Sequence, residues 1–528
     1  MSLYLLAFEH MAFWLVLTAF VTAASVHVRH GVLRWLAVLP PLLILTIAAI
    51  GSGAVWQMAK ANLTLAFPFE FATFFLCITL VAALGVVVRG WSRDRAGVRR
   101  AESWRVGTLA VASGAILLAH GMTFWNADMS MRQQVETLRV EAGLVASSLA
   151  PVTVPEPQNA AIVYQETMLL SQYEKRQKEW DDWSELASNQ PEKLPVDDPK
   201  LLSYLRRRST QLERVREATK LPVCNFRRDW ARLSVDMLLP ETQALRQIAL
   251  DLRLSAFVAA AQGRKADALR DIVAMHRLAD HAAQEPILVS LLVGTAIDHI
   301  AVKSLEHVLS SGGEAWTETD LRPLDDWHSR PIRMRFQSAL RMEEAFGVAT
   351  FCQIMNGDAD ARMLQSNPSS VNVLGGPVAP FYRMCFFPEE VRSHRQLMRH
   401  AQNRALAPEL TAADNERWFK SEMDTSRLGV MSRLLVPALQ QVFTAMHRSE
   451  AMQRLAILAI ELVEYRQAHG AYPESLESLE SDILLPLDPF SNAPLKMLRR
   501  DNRIILYSVG PDAIDNQAEG DDFKFTLP

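Results

Sequence analysis

The sequence predicts a mainly α-helical membrane protein with a small C-terminal α+β domain. Three observations predict this class: four long apolar runs in the first 125 residues, helical periodicity through most of the chain that follows, and two short runs of β-favouring residues near the C-terminus. We therefore expect a four-helix transmembrane domain over 1–125, an extracytoplasmic helical domain over 126–430 and an α+β domain over 431–528.

Each of the four apolar runs is about as long as the ~20 residues that a helix needs to cross the hydrocarbon core of a bilayer. A buried core helix would explain any one run, but four in succession, separated by short polar breaks, favour membrane spans. The runs are Leu5 to Val26, Trp35 to Trp56, Phe69 to Val88 and Val106 to Phe124.

Basic residues predict how these spans are oriented. The first connection holds Arg29 and Arg34, and the second holds only Lys60. The third holds six arginines: Arg89, Arg93, Arg95, Arg99, Arg100 and Arg105. Since basic loops stay in the cytoplasm, the N-terminus and everything after the fourth span should be extracytoplasmic. We therefore expect a multi-pass protein of the inner (cytoplasmic) membrane, with its large outer part in the periplasm.

The charge balance differs between the two parts of the chain. The first 125 residues contain nine basic and four acidic residues, a net charge of +5. The remainder contains 46 basic and 55 acidic residues, a net charge of −9. A mildly acidic outer part argues against nucleic acid as a partner.

The first outer segments read as helices broken by prolines. Met131 to Ala150 is amphipathic, and a second helix should open at Asn159 and run through Tyr173. Lys178 to Lys200 is polar and contains three prolines, which predicts a loop or an exposed hairpin. Tyr204 to Thr219 is a basic helix, for which a solvated face is favoured over binding to lipid headgroups.

The strongest helical signal runs from Glu241 to Gly312, where three amphipathic or apolar segments follow one another. The string Ala-Ala-Gln-Gly-Arg-Lys-Ala-Asp-Ala-Leu within it resembles the turn of a tetratricopeptide-type hairpin. Because only one such unit occurs, we expect a helical bundle or a short solenoid. Asp358 to Pro380 is rich in Asn, Pro, Ser and Gly and predicts a long loop.

A metal site is considered for His276, Asp280 and His281. His276 and Asp280 share a helix face, but His281 lies about 140° around the helix from His276, at about 100° per residue. Hydrogen-bonded core or surface histidines are therefore the preferred interpretation. Neither a zinc-protease motif nor a hydrolase nucleophile motif occurs.

Four cysteines are present. Cys77 falls within the third apolar run, and Cys224, Cys352 and Cys385 fall in the outer part, where disulfides are permitted. Cys352 and Cys385 are the pair to test first.

The C-terminal region should combine a helix with a hairpin. Ser432 to His469 has a long helical pattern, in which Pro437 is tolerated only in the first turn. Leu495 to Leu498 and Ile504 to Val509 are predicted strands, joined by the hairpin connection Arg500-Asp-Asn-Arg503.

Three strings occur there in a fixed order: Tyr465-Arg-Gln-Ala-His-Gly-Ala-Tyr-Pro473, Asp488-Pro-Phe-Ser-Asn492 and Leu506-Tyr-Ser-Val-Gly-Pro-Asp512. This order resembles the globular half of the major pseudopilin of type II secretion, over about the last 80 residues. The resemblance implies a helix packed on a small antiparallel sheet. A pseudopilin begins with a cleavable leader and a single apolar helix, so incorporation of this chain into a filament is not expected. The remainder resembles bacterial envelope membrane proteins of no known activity.

The same resemblance implies a calcium ion in the acidic C-terminal loop, with Asp512 and Asp521 at the matching positions. Asp515 and Asp522 complete the candidate ligand set, since calcium takes several oxygen ligands. A solvated acidic tail is the alternative.

These observations favour a non-enzymatic, membrane-anchored scaffold or docking protein of the bacterial cell envelope, with an association with secretion implied by the pseudopilin resemblance. The expected partners are the lipid bilayer and other envelope proteins, which the outer helical domain would bind. The alternatives are a hydrolase-type enzyme or a ligand sensor that uses the same domain.

Overall fold

The computed structural model describes residues 129–173, 179–233, 237, 239–311, 316–356, 379–424, 430–479 and 485–528. These residues form twelve α-helices and a small C-terminal three-stranded sheet, so the mainly helical class is confirmed for them. The four predicted spans and most of the predicted loop from Asp358 to Pro380 lie outside the described residues. Ala379 and Pro380 already belong to a helix, so the end of that predicted loop is wrong.

The helices in chain order are α1 (129–149), α2 (Ala160–Tyr173), α3 (Glu179–Asn189), α4 (Pro199–Ala218), α5 (Pro240–Ala261), α6 (Lys265–Ala282), α7 (Leu288–Ser311), α8 (Glu318–Leu321), α9 (Ile332–Asn356), α10 (Ala379–Leu406), α11 (Ala412–Asp424) and α12 (Val430–His469). The strands are β1 (Lys496–Arg500), β2 (Arg503–Ser508) and β3 (Phe523–Leu527). Helices α1 and α2 confirm the two predicted after the membrane block.

Internal contacts divide the chain into two compact units. The first comprises Met1–Thr137, Phe351–Arg392 and Asp424–Gly429, and the second comprises Leu138–Thr350, Ser393–Met423 and Val430–Pro528. The described part of the first unit consists of segments of α1, α9 and α10 and Asp424. The core and the sites described below belong to the second unit. The predicted boundary between residues 430 and 431 stays a prediction.

Three long helices, α5, α6 and α7, pack against one another at the centre of the second unit. Gly263 follows α5 with a φ of +74°, a left-handed conformation that glycine adopts without steric cost, so the chain can turn into α6. Leu252, Ile272 and Leu305 are fully buried between these helices. The three helices predicted from Glu241 to Gly312 are confirmed.

Among the described residues, only α7 is long and apolar enough to cross a membrane, and half of its most apolar stretch is buried. It packs against α5, α6 and α12. This packing within the helical body accounts for its apolar composition, since a helix that is apolar on most sides needs neighbours on most sides.

The segment from Lys178 to Lys200 is not a loop, because α3 occupies its first half. Its prolines lie outside α3, and Pro191 and Pro199 each open the next helical segment, where a missing N–H costs nothing. Trp180 and Trp183 of α3 are buried. The prediction was wrong because two tryptophans form most of the apolar face of a short helix whose other residues are mainly charged or polar.

Helix α4 confirms the predicted basic helix but not the whole of its solvated face. Arg206 and Arg207 are exposed. Arg208 is buried, and its Nε lies 3.0 Å from Oδ2 of Asp251 in α5. Oδ1 of the same aspartate accepts hydrogen bonds from Trp180 Nε1 at 2.7 Å and Tyr204 Oη at 2.8 Å. Asp251 therefore ties α3 and α4 to α5.

The C-terminal sheet is antiparallel, with the strand order β1-β2-β3. Asp501 and Asn502 join β1 to β2 with φ angles of 51° and 60°, the conformation that two-residue hairpin turns require and that Asp and Asn tolerate. The two predicted strands and their turn are confirmed. Strand β3 was not predicted, because its five residues follow an acidic, turn-rich segment.

Helix α12 packs on β2, β3 and α7. It begins at Val430, seven residues before Pro437, so the expectation that this helix tolerates Pro437 only in its first turn is wrong. The second unit therefore ends in a helix packed on an antiparallel sheet, and both are continuous with the core of the helical body.

The substitution Asp251→Asn tests the importance of this buried contact. It keeps the size of the side chain but removes the negative charge that the buried Arg208 faces. We expect the free energy of unfolding to fall by about 3–5 kcal/mol. Denaturant unfolding of the full chain in detergent, followed by tryptophan fluorescence, measures this change.

Asp267→Asn is the matched control, because it removes a partly exposed carboxylate that pairs with Arg264 on the surface. Such a pair contributes about 0–1 kcal/mol. Equal unfolding midpoints for Asp251→Asn and Asp267→Asn would contradict the prediction.

Candidate functional site

A groove with a volume of about 560 Å³ lies on the surface of the second unit. Its walls are three helical stretches of the second unit: 141–145 of α1, 341–348 of α9 and 395–402 of α10. Arg341, Ala345 and Val348 lie at positions i, i+4 and i+7 of α9, so they share one helix face. The wall residues of α10 have the same spacing.

The floor of the groove is aliphatic. Ala142, Ala345 and Val348 are buried there, and their side chains are small. Leu144 and Val145 form the α1 wall and remain substantially exposed. Small side chains on the floor leave the space that the groove occupies.

The rim of the groove carries three arginines and two glutamates. Arg395 pairs with Glu141 at 3.3 Å. Glu344 lies 3.9 Å from Arg399 and accepts a hydrogen bond of 2.8 Å from Gln402.

Arg341 is the remaining rim arginine. It is exposed and makes no ion pair or hydrogen bond within the described part of the chain. The rim therefore has a net charge of +1, and the guanidinium of Arg341 has no carboxylate of its own there.

His276, considered above for a metal, lies instead in a buried ion-pair network. Its Nδ1 lies 2.8 Å from Asp298, whose other oxygen is 2.9 Å from Arg330. Burial alone would raise the pKa of Asp298, but Arg330 and His276 lower it to about 2. The second His276 nitrogen faces the backbone oxygen of His328 at 3.1 Å. Because both nitrogens face hydrogen-bond acceptors, neither offers a lone pair to a metal without breaking a contact.

The other two residues of that hypothesis have separate partners. Asp280 accepts a hydrogen bond of 2.6 Å from Arg335. His281 Nδ1 lies 2.7 Å from Tyr164 Oη, and its Nε2 lies 2.8 Å from the backbone oxygen of Leu221. Burial lowers the pKa of His281, which favours the neutral ring. The preferred interpretation of hydrogen-bonded core histidines is confirmed.

Neither His276 nor Asp280 lines the groove. His276 is fully buried and stacks on Trp327, with ring centroids 4.1 Å apart. This histidine thus connects α6 to α7 and to the segment before α9.

The four aspartates that are candidate calcium ligands lie in the loop between β2 and β3. Their surroundings differ from one aspartate to the next. Asp515 pairs with Lys496 and accepts from Tyr507 Oη at 3.2 Å. Asp512 accepts from the backbone N–H of Ile514 at 3.0 Å. Asp521 is exposed.

Asp522 is the member of this set that best fits a cation. Its side chain is buried, and Oδ2 accepts from the backbone N–H of Ala518 at 2.8 Å, while Oδ1 has no hydrogen-bond donor. Burial raises the pKa of Asp522. Within the described residues, no three His, Cys, Asp or Glu side chains converge as metal ligands. A cation at Asp522 would therefore need backbone or water oxygens as its other ligands.

The cysteine prediction is not tested. Cys352 is buried in α9, and the side chain of Cys385 lies outside the described residues. The Cys352–Cys385 pair stays a prediction. Cys224 is a buried free thiol whose pKa is raised by burial.

Sequence reasoning missed the groove. Two of its arginines, Arg395 and Arg399, are spaced at i and i+4 on α10, a helix that was not predicted because Pro388 interrupts its pattern. The sequence signal that could have revealed it was the spacing of Arg341, Ala345 and Val348, which places a cation beside an aliphatic helix face.

Comparison of the chain with protein-family models, curated proteins and solved structures finds no match. The resemblance of the C-terminal region to the pseudopilin therefore stays a prediction.

A buried histidine of α12 predicts how stability depends on pH. His447 Nε2 accepts a hydrogen bond of 3.1 Å from Asn415 Nδ2. Burial, together with Arg333 and Arg454, lowers the pKa of His447 to about 3. As pH falls below about 6.5, the unfolded chain takes up a proton at this position and the folded chain does not. The folded state therefore loses stability between pH 6.5 and about 3.

The substitution His447→Gln should make the fall of the melting temperature between pH 6.5 and 4 shallower, because one such proton changes stability by up to about 1.4 kcal/mol per pH unit. Thermal unfolding of the full chain in detergent at a series of pH values measures it. His469→Gln, at the exposed end of α12, should leave the slope unchanged. Parallel slopes for wild type and His447→Gln would refute the prediction.

Proposed function

We propose that this chain is a membrane-anchored docking protein, or scaffold, of the bacterial cell envelope. Four apolar runs over 1–125 and the arginines of their odd-numbered connections support an inner-membrane anchor with both termini outside the cytoplasm. In this proposal the outer helical body holds other envelope proteins close to the membrane surface.

The exposed aliphatic face of α1 carries this proposal. Val140 and Leu144 lie at i and i+4 of α1, and 51% and 67% of their surfaces are exposed. Full burial of one such side chain contributes about 1.5–3 kcal/mol, so a partner gains by covering both. The fourth apolar run ends at Phe124, so only a short stretch of sequence separates the predicted anchor from this face.

The C-terminal region supports docking rather than assembly into a filament. Side chains of α7 form hydrogen bonds with backbone groups of β3. Lys303 Nζ donates to the backbone oxygen of Lys524, and Ser310 Oγ donates to the backbone oxygen of Thr526. Glu306 accepts from the backbone N–H of Thr526. These contacts close one edge of the sheet. A pseudopilin-like module held in this way would present a fixed surface to a secretion-related partner.

We also propose a calcium ion in the loop between β2 and β3. Its support is Asp522 Oδ1, a buried carboxylate oxygen without a donor, which a hard cation would satisfy. A bound ion would neutralise the carboxylates that surround this loop.

A ligand sensor is the second candidate function, and the groove favours it. Its volume falls within the range of about 300–1,000 Å³ that small-molecule sites occupy. The groove lies beside the docking face and shares Leu144 of α1 with it.

Site-specific photo-crosslinking in native membranes tests the docking proposal. A photoreactive amino acid at position 140 should give an adduct with one discrete envelope protein, because the partner covers this face. The same amino acid at Arg232, which is 85% exposed, is the control and should give none. The Leu144→Asp substitution should reduce the adduct at least 10-fold. Adducts of equal yield at both positions, or an adduct that persists in Leu144→Asp, would rule out a specific docking face.

Calcium should raise the apparent melting temperature of the full chain in detergent, because a ligand that binds only the folded state stabilises it by about 2.7 kcal/mol at 100 times its Kd. Asp522→Asn should abolish the shift. Asp501→Asn, in the exposed hairpin turn, should preserve it. A melting temperature that responds to neither calcium nor chelator would remove the ion from the proposal.

A further inference from the structure

The walls of the groove restrict what can occupy it. All three walls are α-helices, whose backbone N–H and C=O groups bond within the helix. An extended peptide lying on them would leave its own backbone groups without partners, and each such group costs free energy when it is buried. A hydrocarbon chain has no such groups. The occupant must therefore bring no unpaired backbone groups into the groove. An acyl chain has no such groups, and a helix pairs its own.

The volume of the groove decides between an acyl chain and a helix as its occupant. A helix with its side chains is about 10–12 Å across and fills ~400–600 Å³ per turn. The groove, at about 560 Å³, would accept only about one turn. A single aliphatic chain can instead lie along the floor, where burial of each methylene contributes about 0.8 kcal/mol. Ala142, Ala345 and Val348 provide that floor.

The rim selects the charge of the occupant. Arg341 has no partner among the described residues, and Arg399 is 69% exposed, with its Nε 3.9 Å from Glu344. Glu344 is also held by Gln402, so its own charge is partly satisfied without Arg399. Two guanidinium groups are therefore available to an anion. Guanidinium binds carboxylate through two parallel hydrogen bonds, a geometry that a lysine ammonium does not offer.

We propose that this groove binds a long-chain fatty acid, with its carboxylate on Arg341 and Arg399 and its chain on the aliphatic floor. This assignment goes beyond the docking function, because it concerns the groove and a small amphiphile, although Leu144 belongs to both surfaces. No covalent step is involved.

Photo-labelling with a defined probe tests this assignment. The full chain is placed in nanodiscs of phosphatidylcholine, a zwitterionic lipid, and exposed to palmitic acid that carries a diazirine in its chain. After irradiation, mass spectrometry should locate the label in 141–145, 341–348 or 395–402. Unlabelled palmitate should suppress this labelling, and methyl palmitate, which lacks the charge, should suppress it at least 10-fold less well.

Variants at the rim test the role of charge. Arg341→Ala combined with Arg399→Ala should reduce labelling of the groove at least 10-fold. Both residues are exposed, and an unchanged melting temperature would show that the double variant is folded. Arg417→Ala, which removes an exposed arginine of α11, should label as the wild type does.

Three results would overturn the assignment: no label in the groove, equal competition by methyl palmitate, or wild-type labelling of the double variant. None of them affects crosslinking at position 140, so the docking proposal and this assignment can fail separately. The single variant Arg341→Ala gives a second readout if the double variant does not fold. Its labelling should fall at least 3-fold, and wild-type labelling would count against the assignment.

Discussion

Each of the three central helices buries one aspartate, and an arginine from outside these helices neutralises each of them. The pairs are Asp251 with Arg208, Asp271 with Arg216, and Asp298 with Arg330. A buried pair adds little net stability compared with an apolar pair, but loss of one partner costs about 3–5 kcal/mol. Any arrangement that separates α4 or the segment before α9 from the centre is therefore strongly penalised. These pairs specify which outer segments lie on which central helix.

The parts of the fold that were predictable are those with strong local signals. Helices α5, α6 and α7 repeat apolar residues with the helical period. The turn between β1 and β2 consists of residue types that tolerate the left-handed backbone conformation. In contrast, α3, α10 and β3 are short, interrupted or charged, and long-range contacts stabilise them. Trp180 illustrates this, since its hydrogen bond reaches Asp251, 71 residues away along the chain.

The same limit applies to the sites. A row of three arginines in α4 gave no indication that Arg208 alone would be buried, because its partner lies in another helix. The groove depends on three segments that are up to about 260 residues apart in sequence, and only its arginine and alanine spacing was visible locally. His276 and His281 could be placed on different sides of α6 from their spacing, and their separate partners agree with that placement.

Arginines have two different roles in this molecule, and burial distinguishes them. In the core, Arg208 and Arg330 are enclosed and face carboxylates, so they are committed to the fold. At the groove, Arg341 and Arg399 are exposed. Arg341 has no carboxylate partner among the described residues, and the glutamate near Arg399 also accepts a hydrogen bond from another side chain. An exposed guanidinium contributes little to stability. Its position beside an aliphatic floor suits the proposed fatty-acid site.

Helix α1 connects the two proposed sites. At about 100° per residue, Leu144 lies about 40° from Val140, whereas Ala142 lies about 160° away on the opposite side. Ala142 forms part of the groove floor, Val140 belongs to the docking face, and Leu144 contacts both. A fatty acid in the groove would cover part of Leu144 and so change the apolar area that a docked protein can bury. Because coupling between two binding events is reciprocal, the docked protein would change fatty-acid affinity by the same factor.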